Sequence, residues 1–80
     1  MSEQIVYSLW YEDEVTPDNS GIMAEHVYTS EFAAMKALEK YAKEEMNWMS
    51  TVYQSPSKYT FRTSSDFTVD VYIVPLKVRV

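Results

Sequence analysis

Between Thr29 and Met49 the chain reads TSEFAAMKALEKYAKEEMNWM, without glycine, without proline and with no β-branched residue after Thr29. Strong helix formers in an unbroken run leave little choice of local structure, so this stretch is predicted to be helical. At 100° per residue, Met35, Leu38, Ala42, Met46 and Met49 share one arc, edged by Ala34, Tyr41 and Trp48. Lys36, Lys40, Lys43 and Asn47 fall on the opposite side. Thr29 or Ser30 is expected to cap the N-terminus, and Glu31 suits the positive end of the helix dipole. Glu39 with Lys43 and Lys40 with Glu44 are i,i+4 pairs on the wet side, each contributing roughly 0.2–0.5 kcal/mol. A helix with a single apolar side needs a layer beneath it, and the rest of the chain has to supply that layer.

The flanking segments alternate with period two instead. Gln4 to Tyr11 sets Ile5, Tyr7, Leu9 and Tyr11 against Val6, Ser8 and Trp10, which predicts a strand apolar on both faces. Glu12 to Ser20 is a polar connection with four acids, in which Thr16-Pro17-Asp18-Asn19 forms a turn that Gly21 closes. Gly21 is the only glycine, and its backbone freedom is expected to be needed there. Ile22 to Tyr28 predicts a returning antiparallel strand with Ile22, Ala24, His26 and Tyr28 on one face. After the helix, Ser50 to Ser57 reads as a connection ending in a Ser55-Pro56-Ser57 turn. Lys58 to Thr63 is the third predicted strand. Phe67 to Val74 is the fourth, followed at Pro75 by a change of apolar phase that implies a bulge or a break. The expectation is one α+β domain, 1–80. It has an antiparallel four-stranded sheet with one helix packed on one face, in the order β-β-α-β-β.

The junction Ile22–Ser30 (IMAEHVYTS), running into Phe32–Leu38 (FAAMKAL), resembles a plan found among small bacteriophage accessory proteins. There a strand ending in a Ser/Thr pair leads into an alanine-rich helix across a sheet. The resemblance implies a small phage or bacterial accessory protein, and it assigns no functional residue.

Eighty residues suffice for one core, and 46% apolar and 15% aromatic residues supply it. Without cysteine there is neither a disulfide nor a thiolate metal site, which favours a reducing compartment. The N-terminal MSEQIVYSLWYEDE lacks the basic and apolar regions of a signal peptide. No window approaches a membrane span. The expected location is the cytoplasm, or the host cytoplasm for a phage product. The net charge of −5 is uneven. Residues 1–50 hold ten acids against three lysines, a net −7, and residues 51–80 hold four bases against two acids, a net +2. Such a field repels phosphate, so direct nucleic-acid binding is not expected, whereas a basic protein surface would be attracted.

Residues with catalytic potential are sparse. His26 is the only histidine, and its face neighbours Ala24 and Tyr28 offer neither a nucleophile nor a carboxylate orienter. The acids Glu12, Asp13, Glu14 and Asp18 lack the spacing of a calcium loop. No enzyme activity, cofactor or metal is expected. Tyr59 and Phe61 alternate with Lys58, Thr60 and Arg62, which sends aromatics and bases to opposite faces; a base-stacking platform needs them on one face.

Two features point outward. Glu45 falls inside the apolar arc of the helix, so its charge must lie past the core, pair with a base or face a partner. The first and last strands are apolar on both faces, yet one helix covers one face only. Aromatic-rich sheet faces left bare are typical interface anchors. The expected function is an acidic, non-enzymatic protein-binding module. It would act as a phage-encoded inhibitor of a host or defence protein, occupying a basic, nucleic-acid-binding groove. Its candidate contact residues are Trp10, Tyr11, Glu12, Asp13, Glu14, Asp18, Glu45 and Tyr72. The alternative is a homodimer made through the uncovered sheet face or the edge after Pro75.

Overall fold

Among residues 3–14 and 20–79, which the computed structural model describes, five strands and one helix follow in the order β-β-α-β-β-β. They are β1 (Glu3–Asp13), β2 (Gly21–Tyr28), α1 (Glu31–Glu44), β3 (Ser50–Ser55), β4 (Lys58–Arg62) and β5 (Thr68–Arg79). The sheet runs β2-β1-β5-β4-β3 with every pairing antiparallel. The two-layer α+β architecture is as expected. The four-strand count is not, because Ser50–Ser55 is a strand and not a connection. β3 lies at the sheet edge with five of its six residues exposed and its register shifted between Thr51 and Tyr53. A strand that buries no face leaves no apolar alternation to read. The Ser55-Pro56-Ser57 turn is present and joins β3 to β4, the Ser55 hydroxyl accepting from the Lys58 amide at 3.1 Å.

α1 lies on one side of the sheet. Ala34, Leu38 and Ala42 are its buried residues, spaced by four, and Leu38 is fully enclosed among Leu9, Tyr59, Phe61, Val69 and Val71. Tyr59 and Phe61 stack at 5.9 Å within this core, which makes their rings unavailable for stacking on bases. Ser30 is the N-cap, accepting from the Ala33 amide through its hydroxyl. The helix ends at Glu44, five residues before Met49. Past that end the chain turns: Trp48 Nε1 donates to the Glu45 carbonyl at 3.1 Å, and the Met49 amide donates to the Met46 carbonyl at 3.3 Å. Met46 and Met49 still reach the core from this turn, whereas Trp48, expected beside them, is 70% exposed.

β5 runs through Pro75 unbroken. Its register with β1 is continuous from Asp13↔Val69 to Glu3↔Arg79. The Ile73 amide donates to the Ser57 carbonyl at 3.0 Å, toward β4, and two residues later Pro75 faces the same way, past the end of β4. A missing N–H loses no ladder bond there. The change of apolar phase therefore marks a change of environment rather than of register. Gly21, too, departs from expectation. It opens β2 without a positive φ, and a Cβ would meet no atom within 4 Å.

Candidate protein-binding face

Alternation along β1 and β5 divides their side chains cleanly. Leu9, Val69 and Val71 point under the helix, and the even-numbered residues point to the side that no helix covers among the described residues. On that bare face Trp10 stands opposite Tyr72, Ser8 opposite Val74, and Val6 opposite Leu76. β2 extends it, with Ile22 opposite Trp10 and Val27 opposite Ser8. Ile22 is 42% exposed and Val27 51% exposed. Ile22 and Tyr28, expected on one face, are on opposite faces because the β1–β2 register shifts between Ser8 and Leu9. Met23 pairs with Leu9 and Val27 with Ser8, so residues 24–26 have no opposite number on β1. The bulge also frees the Met23 carbonyl, which accepts from the fully buried Ser8 hydroxyl at 3.2 Å.

Polar groups close one end of this face. The Tyr72 hydroxyl donates to Glu12 at 3.2 Å, and Lys58 Nζ sits 5.8 Å from the Tyr72 ring centroid. Burial, and then the Glu12 carboxylate, raise the Tyr72 hydroxyl above its ordinary value of 10. Glu14 accepts from both the Thr68 hydroxyl at 2.7 Å and the Thr68 amide at 2.9 Å, and these bonds hold its carboxyl below the ordinary 4.5. Thr60 donates to Asp70 at 2.7 Å. An apolar strip thus runs into a charged end, where Glu12, Glu14 and Asp70 stand among Lys58 and Arg62 and cross-strand hydrogen bonds hold the carboxylates in place.

Of the residues expected to form one contact surface, Trp10, Glu12 and Tyr72 come together here. Tyr11 does not: it packs on the core under α1, where burial and the Asp13 carboxylate bonded to its hydroxyl raise its pKa. Asp13 follows Tyr11 to that side, its amide held by the Ser20 hydroxyl at 3.0 Å. Glu14 is exposed beside β5. Asp18 lies outside the described residues. Glu45 is the C-cap of α1, past the buried helical turns, and its side chain is exposed across the molecule from the bare face. Ile22, Val27 and Leu76 were missing from the expected set. A corrected phase for β2 and an unbroken β5 are what bring them in.

Trp10 is partly buried, and its Nε1 is the buried side-chain nitrogen without a hydrogen-bond partner among the described residues. An unmet buried donor costs about 1–3 kcal/mol, so Trp10 holds this position against a penalty. No group of three or more His, Cys, Asp or Glu with metal-holding geometry occurs among the described residues. No helix there is long and apolar enough to cross a membrane. Compared with known proteins, the chain matches no family model, no curated protein and no solved structure.

Proposed function

We propose that this chain is a non-catalytic protein-binding module that docks through the bare face of its sheet. The observation that carries this reading is the juxtaposition of an apolar strip (Val6, Trp10, Ile22, Val27, Val74, Leu76), which no described helix covers, with a charged end where Glu12, Glu14 and Asp70 outnumber Lys58 and Arg62. An aromatic anchor at the centre of a patch with a charged rim is the usual composition of a recognition surface. The partner that suits it is a protein with an apolar patch beside a basic surface. Together with the resemblance to phage accessory proteins, this favours inhibition of a host or defence protein by occupation of its nucleic-acid-binding groove.

The test is affinity capture from bacterial lysate with four forms of the protein: unmodified, Ile22→Glu, Val27→Glu and Lys40→Ala. Both bare-face positions are exposed, so the new charges should leave folding intact, which a thermal melt checks. A protein retained by the unmodified and Lys40→Ala forms, lost from both glutamate variants and released by nucleic acid supports the reading. Equal retention by all four forms overturns it.

A second copy is the alternative occupant, favoured by the far end of the β1–β5 ribbon. β2 reaches β1 only as far as Tyr7, and β4 reaches β5 only as far as Tyr72. Residues 3–6 and 76–79 are therefore a two-stranded overhang, with Ile5 47% exposed on one face and Val78 39% exposed on the other. Two-stranded ribbons are marginal alone and gain by being covered. Sedimentation distinguishes the occupants, since a self-docked protein has twice the 9.4 kDa chain mass.

A further inference from the structure

We propose that the cavity between α1 and β2, on the helix side of the sheet, receives the ammonium group of a lysine side chain from a partner protein. The site is separate from the bare face and does not depend on it. The β2 bulge builds it. With residues 24–26 out of step with β1, His26 and Tyr28 are brought to the helix side, against Tyr41 of α1. The His26 and Tyr28 rings lie 6.2 Å apart, tilted by 38°, and share a 2.9 Å hydrogen bond between Nδ1 and the Tyr28 hydroxyl. The Tyr41 ring meets His26 edge-on, 5.8 Å away at 79°. His26, tilted against Tyr28 and edge-on to Tyr41, makes an aromatic corner with them at a cavity of about 600 Å³.

The chemistry of the corner selects its occupant. Aromatic faces carry negative quadrupole charge and attract a cation brought within about 6 Å of the ring centre. Met23 and Ala37 provide an apolar wall along which a lysine stem can lie. Three charged side chains reach the rim from α1: Lys40, Glu44 and Glu45. Lys40 and Glu44 pair with each other at 3.9 Å, which leaves Glu45 as the unbalanced charge. Glu45 makes no ion pair among the described residues, so it stands ready to balance an incoming ammonium. With Lys40 against Glu44 and Glu45, the rim carries a net negative charge that favours a cation over an anion.

The experiment is a titration followed by the aromatic NMR signals of His26, Tyr28 and Tyr41. The probes are N-acetyl-lysine methylamide and its uncharged analogue N-acetyl-norleucine methylamide. The expected result is saturable movement of these three residues by the lysine probe, with the norleucine probe roughly tenfold weaker or without effect. Glu45→Gln, at an exposed cap position, should weaken the lysine probe by about threefold, and Glu45→Lys by more, with the melting temperature unchanged. Tyr41→Leu should abolish the response. Equal response to both probes, movement without saturation, or insensitivity to Glu45→Lys would overturn the assignment. Substitutions on the bare face should leave this titration unaltered, so the two sites stand or fall separately.

Discussion

Trp10 faces Tyr72 across the β1–β5 ladder on the bare side of the sheet, while Tyr11, its immediate neighbour, faces Val71 beneath the helix. One step along the strand separates a surface anchor from a core residue. That step decides which aromatic can touch a partner, and it makes Tyr11 a poor candidate despite its position beside the acidic connection.

The helix face is the first point to check. Leu38 is fully buried, so Leu38→Ala should cost on the order of 2–5 kcal/mol in a urea melt. Lys40 is exposed, and Lys40→Ala should change stability by about 0.5 kcal/mol or less. Equal costs would mean that α1 faces the other way.

Ser8 gives a sharper test of the β2 bulge. Ser8→Ala strands the Met23 carbonyl beside a buried site, and about 1–3 kcal/mol should be lost. A variant as stable as the unmodified chain would show that the hydroxyl bond is not formed in solution.

The helix, its buried stripe and its Ser30 cap were legible because a 3.6-residue period needs only local sequence. The inward residues of β1, β4 and β5 were legible for the same reason: Leu9, Phe61 and Val71 alternate with polar or partly exposed neighbours. β3 was not, since an edge strand with exposed side chains has no period to display. The alternation of β2 by itself predicts the wrong phase after Met23, because a bulge is a property of a pair of strands and the sequence of one strand does not show its partner. Pro75 suggests a break for a related reason. Whether a missing amide matters depends on which neighbour it would have faced, and β4 ends before reaching it.

Two titrations follow from the charged end of this face. Glu14 has its pKa lowered in the fold, so its contribution is present above about 4.5, its ordinary value, and is lost as pH falls through the lowered one. The drop in urea midpoint across that acid window should be smaller in Glu14→Gln. Tyr72 is shifted the opposite way. Its raised pKa favours the neutral phenol, so that contribution is present below 10 and is lost as pH rises through Tyr72's own titration. In Glu12→Gln, tyrosinate absorbance from Tyr72 should develop at lower pH than in the unmodified protein. No movement would mean that the Glu12–Tyr72 bond is absent.

The free edge of β5 is guarded by Pro75, which withholds a donor, and by the exposed Lys77. Natural sheets use both devices against edge pairing. The double change Pro75→Val with Lys77→Val should therefore produce concentration-dependent association that the unmodified chain lacks at that edge. If sedimentation shows the same mass for both, the edge is protected by something else.

The central claim, that the bare sheet face is the docking surface, is tested most directly by hydroxyl-radical footprinting of the chain free and in complex with its captured partner. The protein carries its own control, because its two tryptophans lie apart, Trp10 on the bare face and Trp48 70% exposed beyond the end of α1. The account predicts that Trp10, Tyr72, Ile22 and Val27 lose reactivity in the complex while Trp48 keeps its own. Protection of Trp48 with Trp10 and Val27 unchanged would contradict it.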